Sequence, residues 1–360
     1  MNQKRLDYEW MRILGIFLVV FNHTQYRGYF LYQLPESGMV NTVGSLFLAA
    51  LCKAAVPLFF MVSGGLLLER QETISQLLKK RVLRMALVLL LFSGVVYLEW
   101  LLRGTAEDPG VSDFICRLWG EGISVPHWYL YTYLGILLLL PILRPAAKAM
   151  PDSAFRWLLL IQLLYYGVLV PVGALTPLGT LNPYFATGLL GVANAWGTPF
   201  MASQGVFYLL MGYYFAHRFH WDRIGGKQLV MLGLLAAAAL GAMMWLTWRD
   251  LPRQGGQGQE YFSCYLSVVV IFLYALCRQL NQWHPVKGKA AGLVETMGSC
   301  VFGTYLLEGI LRRLLDGVYL SLEPKLHVLP ACLVWVGMVV LCGMAVTWCL
   351  KKLPGLRKLL

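Results

Sequence analysis

Arg12 and His23 lie in one apolar run, eleven residues apart. At 3.6 residues per turn that separation is almost three whole turns, so the two side chains are expected on one helix face. The run from Trp10 to Leu31 is about the length that crosses a bilayer. Ionisable groups in such a span usually face a bundle interior or a polar cavity, and they mark function. A neutral imidazole accepts a proton near pH 7, which suits a general base. The remaining histidines, His127, His217, His220, His284 and His327, are scattered, and there is no HExxH. No metal-ligand set accompanies His23, and no metal is expected.

Other residue patterns could share that chemistry. The run Val56 to Gly65 closes the second apolar segment and holds Pro57, Ser63, Gly64 and Gly65. Backbone N–H groups freed there, with the Ser63 hydroxyl, could bind an anion or a developing oxyanion. The same residues also fit a kinked helix that ends in a glycine cap. Lys79-Lys80-Arg81-Val82-Leu83-Arg84 opens the third segment. Membrane topology alone explains basic residues there. Arg81 and Arg84 nevertheless share a face at i, i+3, and paired guanidiniums suit phosphates. Arg12 is positioned to extend such a site. Tyr305-Leu306-Leu307-Glu308 lies in the ninth segment, with Glu308 roughly 16 Å deep, comparable to His23. A carboxylate at that depth needs a partner, and either His23 or Arg312 fits. Pairing with His23 would orient the imidazole and stabilise its protonated form. Lys53, midway along the second segment, is a further buried cation suited to a polar network or to substrate. His127 and Trp128 open the fourth segment and fit either an acceptor contact or an aromatic belt. No GxSxG, P-loop or dinucleotide fingerprint is present.

These residues need a scaffold, and the composition states its class. Of 360 residues, 58% are hydrophobic and only 13% charged, against about a quarter charged in soluble domains. The expected fold is all-α: one polytopic membrane domain over residues 1–360, with no separate soluble domain. Ten candidate spans are expected, at 10–31, 43–68, 82–102, 127–147, 156–173, 204–217, 228–248, 261–280, 297–315 and 328–350. With both termini cytoplasmic, the even-numbered connections, the tails and the span ends beside them hold twenty basic residues, and the opposite side with its span ends holds six. That asymmetry follows the positive-inside rule. The net charge of +12 is therefore a topology signal, and no nucleic-acid partner is expected. The eight cysteines show no CxxC, and only Cys116 falls in an expected outer loop. The first run carries Arg12 and His23 and lacks a small-residue cleavage pattern, so it reads as a retained span.

Residues 157–216 contain no Asp, Glu, Lys or Arg. The part from Pro171 to Ser203 is rich in Gly, Pro, Asn and Thr, with Tyr184, Phe185, Trp196 and Phe200. It fits a loop that stacks on sugar rings or an interfacial aromatic belt.

Arg12 and His23, then Phe59-Phe60-Met61-Val62-Ser63-Gly64, then Arg81-Val82-Leu83-Arg84, occur in this order in an all-helical chain. The ordered set resembles the acyltransferase type 3 family of integral membrane O-acyltransferases, over nearly the whole chain. The resemblance implies transfer of an acyl group, often acetyl, from cytoplasmic acetyl-CoA or another acyl-CoA to a hydroxyl of a cell-envelope glycan or glycolipid. It implies a bacterial plasma membrane. In that scheme His23 is the catalytic histidine, and Glu308 is set beside it. Arg12, Arg81 and Arg84 handle the CoA phosphates, and Ser63 and Gly64 belong to the donor pocket. Beside that scheme, Lys53, His127, Trp128 and Tyr305 are the candidate substrate-binding residues. Many members carry a histidine after the tyrosine-leucine pair of a late span, where this chain has Tyr305-Leu306-Leu307-Glu308. The competing class is a proton-coupled transporter or flippase, which also uses buried His, Arg, Lys and Glu. Internal inverted symmetry would favour it, and none is visible.

Overall fold

The computed structural model describes residues 5–105, 110–120, 122–176, 205–251 and 260–360. Among them every regular element is helical. In chain order the first are α1 (Leu6–Asn22), α2 (Met39–Cys52), α3 (Ala55–Leu67) and the one-turn α4 (Ile74–Leu77). Then come α5 (Leu83–Arg103), α6 (Val111–Gly120), α7 (Trp128–Ala149), α8 (Asp152–Leu164) and α9 (Val170–Leu175). After them follow α10 (Gly205–His217), α11 (Gly226–Asp250), α12 (Leu266–Trp283), α13 (Gly288–Leu314), α14 (Asp316–Leu326), α15 (Val328–Leu350) and α16 (Pro354–Leu359).

By length and composition, seven helical stretches among the described residues suffice to cross a membrane: Met39–Leu67, Ile74–Arg103, Trp128–Ala149, Asp152–Leu175, Gly226–Asp250, Gly288–Leu314 and Val328–Leu350. The expected count of ten is not reached on that measure. α1 has 17 residues and α10 has 13, and α12 ends in the polar run Arg278-Gln279-Leu280-Asn281-Gln282. These three are nonetheless core elements. α1 packs against α2, α3, α12, α13 and α15, and α10 lies along α3. The expected aromatic outer loop falls largely outside the described residues, including Tyr184, Phe185, Trp196 and Phe200.

Two chain breaks set up the site. The first span was expected to run to Leu31, but α1 stops at Asn22. The Thr24 hydroxyl donates to the Phe21 carbonyl at 2.8 Å, and Gln25 adopts a positive φ of 52°. Residues 25–33 then fold as short 3-10 turns. His23 is therefore the C-cap of α1, beyond its last helical residue. The second break divides α2 from α3 at Lys53 and Ala54. Pro57 has no N–H to return to the Lys53 carbonyl, so the helix interrupts there and Lys53 emerges at the bend.

Packing between α3 and α10 depends on two glycines. A Cβ on Gly64 would strike the backbone of Leu209, and one on Gly212 would strike the backbone of Met61. Two helix backbones touch here because neither carries a side chain at the crossing.

Candidate active site

The site is built around the end of α1. His23 Nδ1 lies 3.0 Å from Oε1 of Glu308 on α13. The carboxylate oxygen sits off the line of the ring N–H, so this is a close ionic approach rather than a linear hydrogen bond. The other oxygen, Oε2, accepts from Arg312 Nε at 2.6 Å. Arg312 Nη1 in turn donates to the His23 carbonyl at 2.6 Å. Both expected partners of Glu308 are present, one at each oxygen. Glu308 is 0% exposed, and a carboxylate there requires compensation of this kind. With Nδ1 facing a carboxylate, the electrostatically favoured neutral tautomer carries its proton on Nδ1, which leaves Nε2 as the free base.

His23 lines a cavity of about 1120 Å³. Arg12 lines the same cavity, although the two residues do not share one continuous helix. The basic end is lined by Arg70, Lys80, Arg81, Arg84 and Lys351, together with Glu72. Ser63, Tyr129, Tyr133 and Tyr305 add a hydroxyl-bearing stretch of wall. Trp128, Lys53, Glu260 and Phe262 also line the wall. A single hollow thus joins the imidazole to the basic cluster.

The guanidiniums of the basic end are already engaged. Arg81 Nε and Nη2 grip Glu72, at 2.9 Å to Oε2 and 2.6 Å to Oε1. Arg144 Nη2 reaches the same carboxylate at 2.8 Å, and its Nε donates to the Leu67 carbonyl at 3.0 Å. Hydrogen bonds from Arg81, then from Arg144, hold the Glu72 carboxyl down to about 2. Arg84 donates twice to the Leu359 carbonyl, at 3.2 and 2.9 Å. Arg12 pairs with Glu9 at 2.8 Å. The guanidiniums are held at fixed positions around the mouth, the arrangement in which they receive phosphate oxygens with little side-chain reorganisation.

Two expected site residues stand elsewhere. Gly64 does not line the cavity but faces Leu209 of α10, where its role is helix contact. It is no helix cap either, because α3 continues to Leu67. His127 is buried behind the cavity wall at 2% exposure, with Nδ1 3.4 Å from the Ser93 hydroxyl. The neighbouring Trp128 does line the cavity, since adjacent residues at a helix start point in different directions. Tyr305 lines it as well, and its hydroxyl donates to the Pro126 carbonyl.

Several participants escaped the sequence reading. Glu260 receives Lys53 Nζ at 3.1 Å, yet it follows a Gly- and Gln-rich stretch and reads as a loop carboxylate. Glu72 and Arg144 read as ordinary polar residues at span ends. Glu9, which holds Arg12, sits only three residues from it, and that i, i+3 spacing was the available signal.

A family model described as an acyltransferase domain matches residues 5–350, nearly the whole chain. No curated protein and no solved structure matches.

Proposed function

The chain belongs to the acyltransferase domain family, and from that premise we propose that it is a membrane O-acyltransferase moving an acyl group, acetyl by preference, from cytoplasmic acyl-CoA to a hydroxyl of a cell-envelope carbohydrate. The supporting observation is that His23 and the basic cluster line one cavity. In this reading Arg81, Arg84 and Arg12 receive the phosphates of CoA, with Lys80 and Lys351 beside them. The thioester arm runs past Ser63 toward His23. The acceptor enters from the other end.

His23 Nε2 takes the proton of the acceptor hydroxyl as that oxygen attacks the thioester carbonyl carbon. The imidazolium formed is stabilised by Glu308, which Arg312 holds in turn. The tetrahedral intermediate collapses, the carbon–sulfur bond breaks, and His23 returns its proton to the departing sulfur. Products are the acyl ester and free CoA. Donors for the oxyanion come from the hydroxyl-rich wall at Ser63 and Tyr129.

The test is CoA release from acetyl-CoA by purified protein with an envelope glycan fraction, paired with mass spectrometry of the glycans. His23→Ala should cut transfer by about 10²–10⁴-fold, the range of general acid–base catalysis, while the protein still inserts. Wild-type turnover by that variant rejects the mechanism.

A further inference from the structure

The geometry points to a second binding site in the cavity, formed by Lys53 and Glu260, that takes a neutral polyhydroxylated ring such as an uncharged pyranose. This deepens the acyl-transfer reading, on which it rests for the identity of the acceptor.

The site is built rather than incidental. Lys53 Nζ meets Glu260 Oε2 at 3.1 Å, and both side chains are about one-third open to the cavity. Two phenols hold the carboxylate from behind. Tyr29 donates to Oε1 at 2.9 Å and lies 3.0 Å from Oε2, and Tyr32 donates to Oε1 at 3.2 Å. Both tyrosines are buried and absent from the cavity wall, so they position Glu260 rather than touch a ligand. Ser45 of α2 fixes their backbone. Its hydroxyl donates to the Gly28 carbonyl at 2.6 Å and accepts from Tyr32 N–H at 3.1 Å. Lys53 also stands 4.9 Å from the Tyr29 ring and 5.9 Å from the Phe262 ring.

The chemistry selects the ligand. Lys53 and Glu260 cancel in charge, yet each keeps some hydrogen-bonding capacity: the ammonium spends one of its three donors on Glu260, and the carboxylate, which receives Tyr29, Tyr32 and Lys53, keeps about one of its four acceptor sites. Adjacent sugar hydroxyls both donate and accept, and so match such a pair. An added carboxylate would meet Glu260, and an added ammonium would meet Lys53, so both charged sugars are disfavoured. The position also suits transfer. His23, Lys53 and Glu260 line one cavity, and Thr24, next to His23, ties the Tyr29 segment by accepting from Tyr29 N–H at 2.9 Å.

The test uses the full chain in nanodiscs, free of glycoside detergents, with three probes read by saturation-transfer NMR. These are methyl β-D-glucopyranoside, the corresponding glucuronide and the corresponding glucosaminide. Wild type should bind the neutral glucoside tightest. Glu260→Gln should weaken glucoside binding by about tenfold, the scale of a lost hydrogen bond to a charged group, and should raise affinity for the glucuronide because Lys53 is left uncompensated. A purely structural role for Glu260 predicts no such exchange of preference. If Glu260→Gln does not insert, the double change Tyr29→Phe with Tyr32→Phe keeps the charge and loosens the carboxylate, and should weaken glucoside binding in the same direction. Equal binding of all three probes by wild type, unchanged preference in Glu260→Gln, or unchanged glucoside affinity in the double variant overturns the site. Acetyl transfer to the glucoside, assayed in the same preparations, separates the two readings. Selective glucoside binding without His23-dependent transfer upholds the site and rejects acyl transfer.

Discussion

At the scale of residues, the decisive arrangement is a carboxylate with divided duties. Glu308 faces His23 with one oxygen and Arg312 with the other, while Arg312 also holds the His23 carbonyl. The second link matters because His23 lies past the end of α1, where no helical hydrogen bond fixes its carbonyl. Arg312 therefore restrains both the backbone and the partner of the imidazole. Replacing Glu308 by Gln keeps the shape but removes the charge that stabilises imidazolium. Since Gln can still accept at one oxygen, inactivation is expected to fall short of that in His23→Ala. The expected outcome is a drop in kcat of about 10²-fold, at the lower end of the acid–base range, with the acyl-CoA dissociation constant unchanged. Stopped-assay CoA release with an independent binding titration separates the two quantities. A Glu308→Gln variant with wild-type kcat would show that the carboxylate has no part in proton transfer. His23 and Glu308 were legible in the sequence because an ionisable group inside an apolar span is costly and demands a partner. Glu260 was not, because its partner Lys53 is 207 positions away and its own neighbours are a polar connection. Periodicity reports which residues share a face, and it carries no information about contacts between distant segments.

At the scale of elements, breaks in helices place the chemistry. α1 ends before His23, α2 yields to α3 at Lys53, and a π segment, Leu78–Val82, carries Lys79, Lys80 and Arg81 into α5. The π register turns Arg81 toward Glu72 and Arg144, and so joins the 68–73 connection, α5 and α7 at the basic mouth. The sequence supplied the helical character and most span positions, since long apolar runs have few alternatives in a bilayer. It misplaced the end of the first span, because Thr24 capping and the positive φ of Gln25 are local backbone events inside an apolar run. It also left Gly64 open between an anion site and a cap, whereas close approach to α10 is what the glycine serves. The Glu72 hub has a pH signature. Its carboxyl is held at about 2, below the ordinary 4.5, so the folded state prefers the ionised form. The resulting stabilisation is complete above about pH 4.5 and is lost as pH falls from there through about 2. Thermal midpoints of wild type and Glu72→Gln should therefore differ by a constant amount near neutrality and converge between pH 4.5 and 2. Parallel curves across that window would show that Arg81 and Arg144 do not depress this group.

At the scale of the whole molecule, charge and cavity share one polarity. The start of α5, the 68–73 connection and the end of α15 bring Arg70, Lys80, Arg81, Arg84 and Lys351 to one end of the hollow. Lys and Arg concentrate on the cytoplasmic side of membrane proteins, so the same residues that suit CoA phosphates also dictate where they face. In the proposed transfer, a charged donor would stay inside the cell, and only its acyl group would need to pass His23 to reach an acceptor outside. The proposed transfer requires the opposite end of the protein to face the exterior. Cys116 provides the probe. It is exposed on α6, which follows the far end of α5, whereas Cys349 is exposed on α15 beside the basic end. In a variant that keeps only Cys116, a membrane-impermeant maleimide should label intact cells fully. In a variant that keeps only Cys349, labelling should require permeabilised membranes. The reverse pattern would put the basic mouth outside, away from acyl-CoA, and would remove the donor route on which the proposed transfer depends.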